Sequence, residues 1–198
     1  TFGEYPPFAM TDYETGGYRV SASSEYNITQ YPAWGAFTDV AATGIWLSSN
    51  APIYGGSPQG AYNGSTNLGV GVADDGEWLK VEVPHKLVLN SIYASSSTAA
   101  EPCPKDWKIY GSNDDKNWDV LLSKTNSIIA AYQTGGTNTE TNKYHAVNTT
   151  KGYKYFAFVV TKIVGSGSFN TYTQLHEFSL IGHKEGDLTR FPEPTRVL

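Results

Sequence analysis

The stretch Trp78–Trp118 is patterned as several short β-strands joined by turns, and this pattern limits the possible folds more than any other part of the chain. From Leu79 to Val83, apolar residues alternate with Lys80 and Glu82, which is the period of a strand with two unlike faces. Such alternation predicts a strand that buries one face and exposes the other.

Three further runs follow this first strand. Pro84 is predicted to end the first strand, because proline cannot donate a hydrogen bond to a ladder. Leu87–Tyr93 and Trp107–Tyr110 are apolar runs that predict a second and a third strand. The Gly-, Asn- and Asp-rich segment 111–117 predicts a turn into a fourth strand, which begins at Trp118.

The rest of the chain repeats this organisation of short strands and turn signals, without a helical period. It predicts an all-β sandwich or barrel. The Pro-containing segments 1–17 and 183–198 are predicted to be linkers around one domain, 18–182, and the absence of an initiating Met at Thr1 favours a module of a larger protein. The remaining strands are predicted at Tyr18–Ser24, Ile45–Ser48, Lys143–Val147, Lys154–Ile163 and Gln174–Gly182.

Composition excludes several classes of function. The net charge is −5 and no basic run occurs, which argues against nucleic-acid binding and against docking to anionic lipid. No apolar run is long enough for a transmembrane helix, so no direct membrane insertion is expected. Cys103 is the only cysteine, which rules out an internal disulfide, and the four histidines do not cluster as zinc ligands would.

An ordered set of short motifs resembles the discoidin family, also called coagulation-factor C-type or galactose-binding-like domains. The resemblance spans roughly Tyr18 to Gly182. It implies a jelly-roll β-sandwich of two antiparallel sheets; many members act as carbohydrate-binding modules, and others bind phospholipid or protein. The motifs are YRVSASS at 18–24, AWGAFTD at 33–39, Ile45-Trp46, EWLKVEV at 77–83, PKDWKIYGSNDDKNW at 104–118, 153–160 and LHEFSLIG at 175–182.

The resemblance also implies a structural Ca²⁺ between the loop after AWGAF and the start of the last strand. Calcium takes about six to eight oxygen ligands from carboxylates and carbonyls. This chain has Val40 where members usually have Gly, and Ala41 lies where an Asn or Asp often follows. The alternative is a loop closed by side-chain hydrogen bonds alone. The implied ligands are the carboxylates of Asp39 and Glu177 and the backbone carbonyls of Ala36, Ala41, Gly44 and His176.

In family members that bind sugars, loops at one edge of the sandwich present aromatic and polar side chains. Aromatic rings suit the apolar C–H faces of a sugar, and polar groups suit its hydroxyls. The loop Ser95–Lys105 lacks the Arg that galactose-type binders often place there, which argues against a galactose-type site. For each tyrosine the alternative is a packed aromatic. The predicted ligand-binding residues are Trp34, Tyr54, Tyr62, Asn63, Asn67, Asp74, Asp75, Phe169 and Tyr172.

We therefore expect a non-catalytic, calcium-supported module that recognises a cell-surface glycan or an extracellular polysaccharide. We expect it outside the cell, at a cell surface or virion surface, beside neighbouring modules of the same chain. The alternative is a structural spacer or a protein–protein interaction module. An enzyme is less favoured, because no Gly-x-Ser-x-Gly elbow or phosphate-binding glycine loop occurs. Trp46, Trp78, Trp107 and Trp118 are predicted to pack in the core.

Overall fold

The computed structural model describes residues 3–38, 44–49, 51, 53–55, 58–96, 102–131, 142–165 and 172–187. Within these ranges the regular structure is almost entirely β-strand, which confirms the predicted all-β class. The described residues contain no helix with the length and apolar character needed to span a bilayer. The elements are β1 (Gly3–Tyr5), β2 (Glu14–Thr15), β3 (Tyr18–Ala22), a 3-10 helix (Ala33–Phe37), β4 (Trp46–Leu47), β5 (Glu77–Ser95), β6 (Pro104–Ser112), β7 (Trp118–Lys124), β8 (Tyr144–Ala146), β9 (Tyr153–Ile163), β10 (Gln174–Leu175) and β11 (Glu177–Lys184).

β5 is the central strand and is 19 residues long. Its first half pairs with β3 and β9, and its second half pairs with β11 and β8. β9 continues to β6 and β7, while β11 continues to the edge strand β1. β4 and β10 form a separate antiparallel pair. Hydrogen bonding through β5 therefore connects both layers of the structure.

The two halves of β5 lead to layers that face each other across one core. Phe158 of β9 and Phe178 of β11 bring their ring centroids to 5.6 Å, although their strands pair with different halves of β5. Phe37 of the 3-10 helix closes on Phe178 from the side, at 5.7 Å between centroids. This arrangement confirms the predicted jelly-roll sandwich of two antiparallel sheets.

The predicted break at Pro84 is wrong, because one strand runs through it. Residues 84–86 are exposed, and the register with β9 shifts between Glu82 and Leu87. At this irregularity the ladder needs no donor from Pro84, so the strand continues through the proline. The sequence period is continuous on both sides, but only the pairing partners reveal that the two runs are one strand.

Three of the four tryptophans predicted for the core are buried, but only Trp46 and Trp107 lie in the main core. Trp46 and Trp107 are fully buried and Trp118 is nearly so, whereas Trp78 is half-buried. Trp118 and Trp78 belong to a second, smaller apolar cluster with Val72, on the outer face of the sheet. The loop that contains Val72 therefore covers part of that face.

The described part of the predicted N-terminal linker belongs to the sandwich. β1 pairs with β11, and Glu4 accepts a hydrogen bond from Ser179 at 2.6 Å. Met10 is buried, and its backbone N–H donates to Phe37 O at 2.8 Å. At the other end, β11 runs to Lys184, two residues into the predicted C-terminal linker, and residues 188–198 lie outside the described ranges.

His145 makes the stability of the fold depend on pH. Burial, with a smaller contribution from the nearby Lys124 ammonium, lowers its pKa to about 4. The unfolded chain takes up a proton below about pH 6.5, whereas the folded chain does not until about pH 4. We therefore expect the free energy of unfolding to fall by about 3 kcal/mol between these pH values from this residue alone.

Urea unfolding across this pH range measures the effect. His145→Gln should remove this part of the pH dependence, whereas replacement of the exposed His85 by Gln should keep it. Equal pH dependence in wild type and His145→Gln would show that His145 does not contribute.

Candidate functional site

Three tyrosines from two distant segments meet on the surface, and we call Tyr26, Tyr31 and Tyr172 the tyrosine cluster. The Tyr26 ring centroid lies 6.0 Å from that of Tyr31 and 6.3 Å from that of Tyr172, with interplanar angles of 57° and 52°. Tyr26 is 47% exposed, and the other two are half-buried. The cluster is therefore a group of mutually tilted aromatic rings that are partly accessible to solvent.

A compact turn places two of these tyrosines together. The Asn27 side-chain oxygen accepts hydrogen bonds from the backbone N–H groups of Thr29 and Gln30, at 2.9 and 3.1 Å. The Asn27 carbonyl accepts from Tyr31 N at 2.7 Å. Asn favours such turns because its side chain can replace a backbone acceptor. The turn brings Tyr31 back beside Tyr26.

The Glu25 carboxylate stabilises the same loop through hydrogen bonds. It accepts hydrogen bonds from Tyr13 OH at 2.9 and 3.0 Å and from Ala33 N at 2.5 Å. Burial, together with this hydrogen bond, raises the pKa of Tyr13 to about 12. The Ala33–Glu25 hydrogen bond joins the two ends of the loop, and the Tyr13 hydroxyl donates to the same carboxylate.

The short β4–β10 pair delivers Tyr172 to the cluster. Ser48 and Thr173 exchange two hydrogen bonds, from Ser48 N to Thr173 O and from Thr173 N to Ser48 Oγ, each at 3.0 Å. Tyr26 N donates to Leu47 O at 2.9 Å, so the other segment is attached to the same strand. Burial, and to a lesser extent the neighbouring phenols, raises the pKa of Tyr172.

The surroundings of the cluster are uncharged along the turn. Residues 26–31 contain no ionisable side chain other than the two phenols. Ile28 is 68% exposed at the tip of the turn, and Asn27 and Gln30 are exposed polar residues beside it. The surface therefore combines aromatic faces with neutral hydrogen-bonding groups.

Among the predicted polar residues of the loop 63–75, the side chains of Asn67, Asp74 and Asp75 make contacts away from the tyrosine cluster. Asn67 Nδ2 donates to Val72 O, Asp74 O and Asp75 Oδ1, at 3.3, 3.4 and 3.0 Å. Asp74 forms an ion pair with Lys108 of β6. Asn63 is exposed, and its N–H donates to Ile53 O at 2.8 Å. These contacts stabilise the loop and attach it to β6, rather than to the tyrosine cluster.

The aromatic predictions before β5 need correction. Tyr54 is fully buried and donates to Val160 O at 3.0 Å, so a ligand cannot reach it. Tyr62 packs edge-on against Tyr54 at 5.3 Å between ring centroids. A buried tyrosine needs one partner for its hydroxyl, and a backbone carbonyl supplies it here. Trp34 is half-buried and packs on the main core, and Phe169 lies outside the described residues.

Two described members of the predicted calcium set, Gly44 and Glu177, lie near the 3-10 helix. A Cβ on Gly44 would lie 1.9 Å from Thr38 Oγ1 and 2.4 Å from Gly35 O, so the two ends of the segment 39–43 meet. Glu177 lines a cavity of about 110 Å³ with Phe37, the residue after Ala36. Carboxylate and backbone carbonyl oxygens are ligands that suit Ca²⁺.

The remaining members of the predicted calcium set give no further support for a metal site. Asp39 and Ala41 lie outside the described residues. His176 is half-buried, and its backbone N–H donates to Ser95 O at 2.9 Å. Among the described residues, no three His, Cys, Asp or Glu side chains converge as a metal group. The calcium site stays a prediction.

Sequence reasoning identified Tyr172 but not Tyr26, Tyr31 or Glu25. One local signal was present: two tyrosines flank an Asn-initiated turn in the segment 26–31. The meeting with Tyr172 depends on the β4–β10 pairing, which no local pattern specifies.

Comparison with known proteins places the chain in a family. The sequence profile of the F5/8 type C domain matches residues 44–178, which is more than half of the chain. No curated protein matches the chain.

Solved structures resemble this chain over most of its length. One is CpGH89CBM32-5 from Clostridium perfringens in complex with GalNAc-β-1,3-galactose: TM-score 0.55, 14% identity, covering 83% of this chain and 95% of that one. Another is CBM32-3 from a family 31 glycoside hydrolase of the same organism: TM-score 0.56, 20% identity, covering 84% and 92%.

A third is chitosan-binding module 1 of a chitosanase/glucanase from Paenibacillus sp. IK-5, with a TM-score of 0.52, 20% identity, and coverage of 84% and 96%. At these identities the likeness concerns the fold. Together with the family match, it confirms the resemblance that the motif order indicated: the chain belongs to the F5/8 type C, or discoidin, domain family.

Proposed function

We propose that this chain is a non-catalytic carbohydrate-binding module and that the tyrosine cluster is its sugar-binding surface. The observation on which the proposal rests is the meeting of Tyr26, Tyr31 and Tyr172 at the surface. The fold adds support, because similar modules have been solved with GalNAc-β-1,3-galactose or described as chitosan-binding.

The chemistry of the cluster suits an uncharged sugar. Tilted aromatic rings offer apolar faces to the C–H groups of a pyranose, and phenol hydroxyls can donate to and accept from its hydroxyls. The raised pKa of Tyr172 keeps that hydroxyl protonated. Asn27 and Gln30 place neutral amides beside the rings. A single such surface binds weakly, so repeated modules of a larger secreted or surface protein would supply avidity.

The carboxylate nearest to the cluster in sequence is not free for catalysis. Glu25 accepts the hydrogen bonds of Tyr13 and Ala33, which fix the loop. Glycoside hydrolysis needs two carboxyl groups on either side of one bond. Glu25 serves the loop instead, which supports a binding role, although some similar modules are parts of glycoside hydrolases.

A glycan-array screen, run with and without a calcium chelator, tests this proposal. We expect binding to a restricted set of neutral glycans. Binding to no glycan at all would contradict the proposal and would favour a spacer or protein-interaction module. Tyr54 and Tyr62 pack in the core, as they would also do in a structural spacer. The array result therefore decides between a sugar-binding module and a spacer.

We also propose the predicted structural Ca²⁺ between Asp39 and Glu177. At calcium about 100-fold above the dissociation constant, binding would stabilise the fold by about 2.7 kcal/mol. For a domain of this size, the melting temperature should then rise by about 5–10 °C on adding calcium to chelated protein. Differential scanning calorimetry measures this shift.

Glu177→Gln is the matched variant for the calcium prediction. It should abolish the calcium-dependent shift, whereas Glu14→Gln, at an exposed ion pair with Arg19, should keep it. A melting temperature that does not respond to calcium in wild type would show that the loop closes without a metal.

A further inference from the structure

A carboxylate is buried beneath the loops that lead to the tyrosine cluster. Glu77, the first residue of β5, is 3% exposed. Its Oε2 accepts hydrogen bonds from Ser23 Oγ and Ser24 Oγ, both at 2.5 Å, and its Oε1 lies 3.5 Å from Tyr62 OH. The three partners are neutral hydroxyls.

Stability alone does not explain why a carboxylate is buried at this position. Burying a carboxylate is costly, and an apolar side chain of similar volume is often equally stable or more so. The ion pairs formed among the described residues do not include Glu77. A buried group of this kind can instead select one arrangement of the segments around it.

The partners of Glu77 lead directly to the cluster. Ser24 Oγ also accepts from Ser49 N at 2.9 Å, and the Ser24 carbonyl accepts from Trp46 Nε1 at 3.1 Å. Ser24 lies two residues before Tyr26. Ser49 follows Ser48, whose bonds to Thr173 place Tyr172. One carboxylate therefore fixes both segments that supply the tyrosines.

We infer that Glu77 is a positioning residue for the tyrosine cluster: it holds Ser24, and through Ser24 the segment around Ser49, so that Tyr26 and Tyr172 meet. It does not contact the ligand. The expected effect of Glu77 on glycan affinity rests on the proposed function. The expected effect of Glu77 on the positions of the two segments rests only on the hydrogen bonds described above.

The test compares Glu77→Met with Glu77→Gln. Methionine fills the site without an acceptor, and glutamine keeps one oxygen. We expect Glu77→Met to weaken binding of a glycan found by the array about tenfold, with partial recovery in Glu77→Gln. Amide hydrogen exchange, followed by NMR, should be faster at Ser49 in Glu77→Met because its acceptor is released. The control is Glu82→Met, a half-exposed position on the same strand whose carboxylate pairs with Lys154.

Unchanged affinity and unchanged exchange at Ser49 and Tyr172 in folded Glu77→Met would overturn the inference, even if the melting temperature falls. If Glu77→Met does not fold, Ser24→Ala removes the same connection and should reproduce both effects. If wild type binds no glycan, the proposed function fails, but the exchange comparison still decides whether Glu77 holds the cluster.

Discussion

We expect Tyr172→Ala to weaken glycan binding by about 30-fold, which corresponds to about 2 kcal/mol and is typical of an aromatic residue that contributes strongly to binding. Tyr172 lies two residues before β10, and its loss leaves Tyr26 with one aromatic neighbour instead of two. The residue is half-buried on the surface, so the free energy of unfolding should change by about 1 kcal/mol or less. Isothermal titration calorimetry and urea unfolding separate the two effects.

Two further variants test whether the effect comes from the ring of Tyr172 and whether it is specific to the cluster. Tyr172→Phe keeps the ring and removes only the hydroxyl, so it should lose less affinity than the alanine variant. Tyr144→Ala removes another exposed tyrosine, which is 62% exposed on β8 and contacts Tyr93 outside the cluster. It should bind as wild type does. Equal affinity for Tyr172→Ala and wild type would remove Tyr172 from the site.

Trp107→Ala lowers the free energy of unfolding by about 3–5 kcal/mol, the range for deleting a large core aromatic. Trp107 is fully buried and stacks on Phe158, with ring centroids 4.9 Å apart and planes at 19°. Its edge contacts His145, and Nε1 donates to Ser127 O at 2.8 Å. Truncation leaves a large cavity and an unpaired carbonyl between the layers.

Chemical denaturation measures the Trp107 effect. Val120→Ala is the control, because Val120 is 51% exposed on the edge strand β7 and should lose about 0.5 kcal/mol or less. A loss of less than about 1 kcal/mol in Trp107→Ala would contradict a core in which β6 and β9 pack through this side chain.

Much of the fold follows from local periodicity. The strands of the centre alternate apolar and polar residues, and this pattern needs no knowledge of partners. The edge strand β1 escaped prediction because it is short and is followed by Pro6 and Pro7. Its place depends on contacts such as Glu4 with Ser179, which are 175 residues apart. Such contacts have no signature near either residue.

The candidate site was harder to predict than the fold. An aromatic residue in a Gly- and Ser-rich loop has the same local context whether it points inward or outward, so Tyr54 was placed in the ligand site although it packs in the core. Tyr26 and Tyr172 are far apart in the chain, and the β4–β10 pairing, with the hydrogen bonds around it, brings them together. The calcium ligands stay a prediction because Asp39 and Ala41 lie outside the described residues.

The most direct measurement is an NMR titration of isotope-labelled protein with the strongest glycan from the array. If the tyrosine cluster is the binding surface, the largest shift changes will fall on the amides of residues 26–31 and of Tyr172, and on the ring protons of these tyrosines. Shift changes concentrated in the loop 63–75, with the cluster unaffected, would contradict the account and would assign the sugar to the polar residues first predicted there.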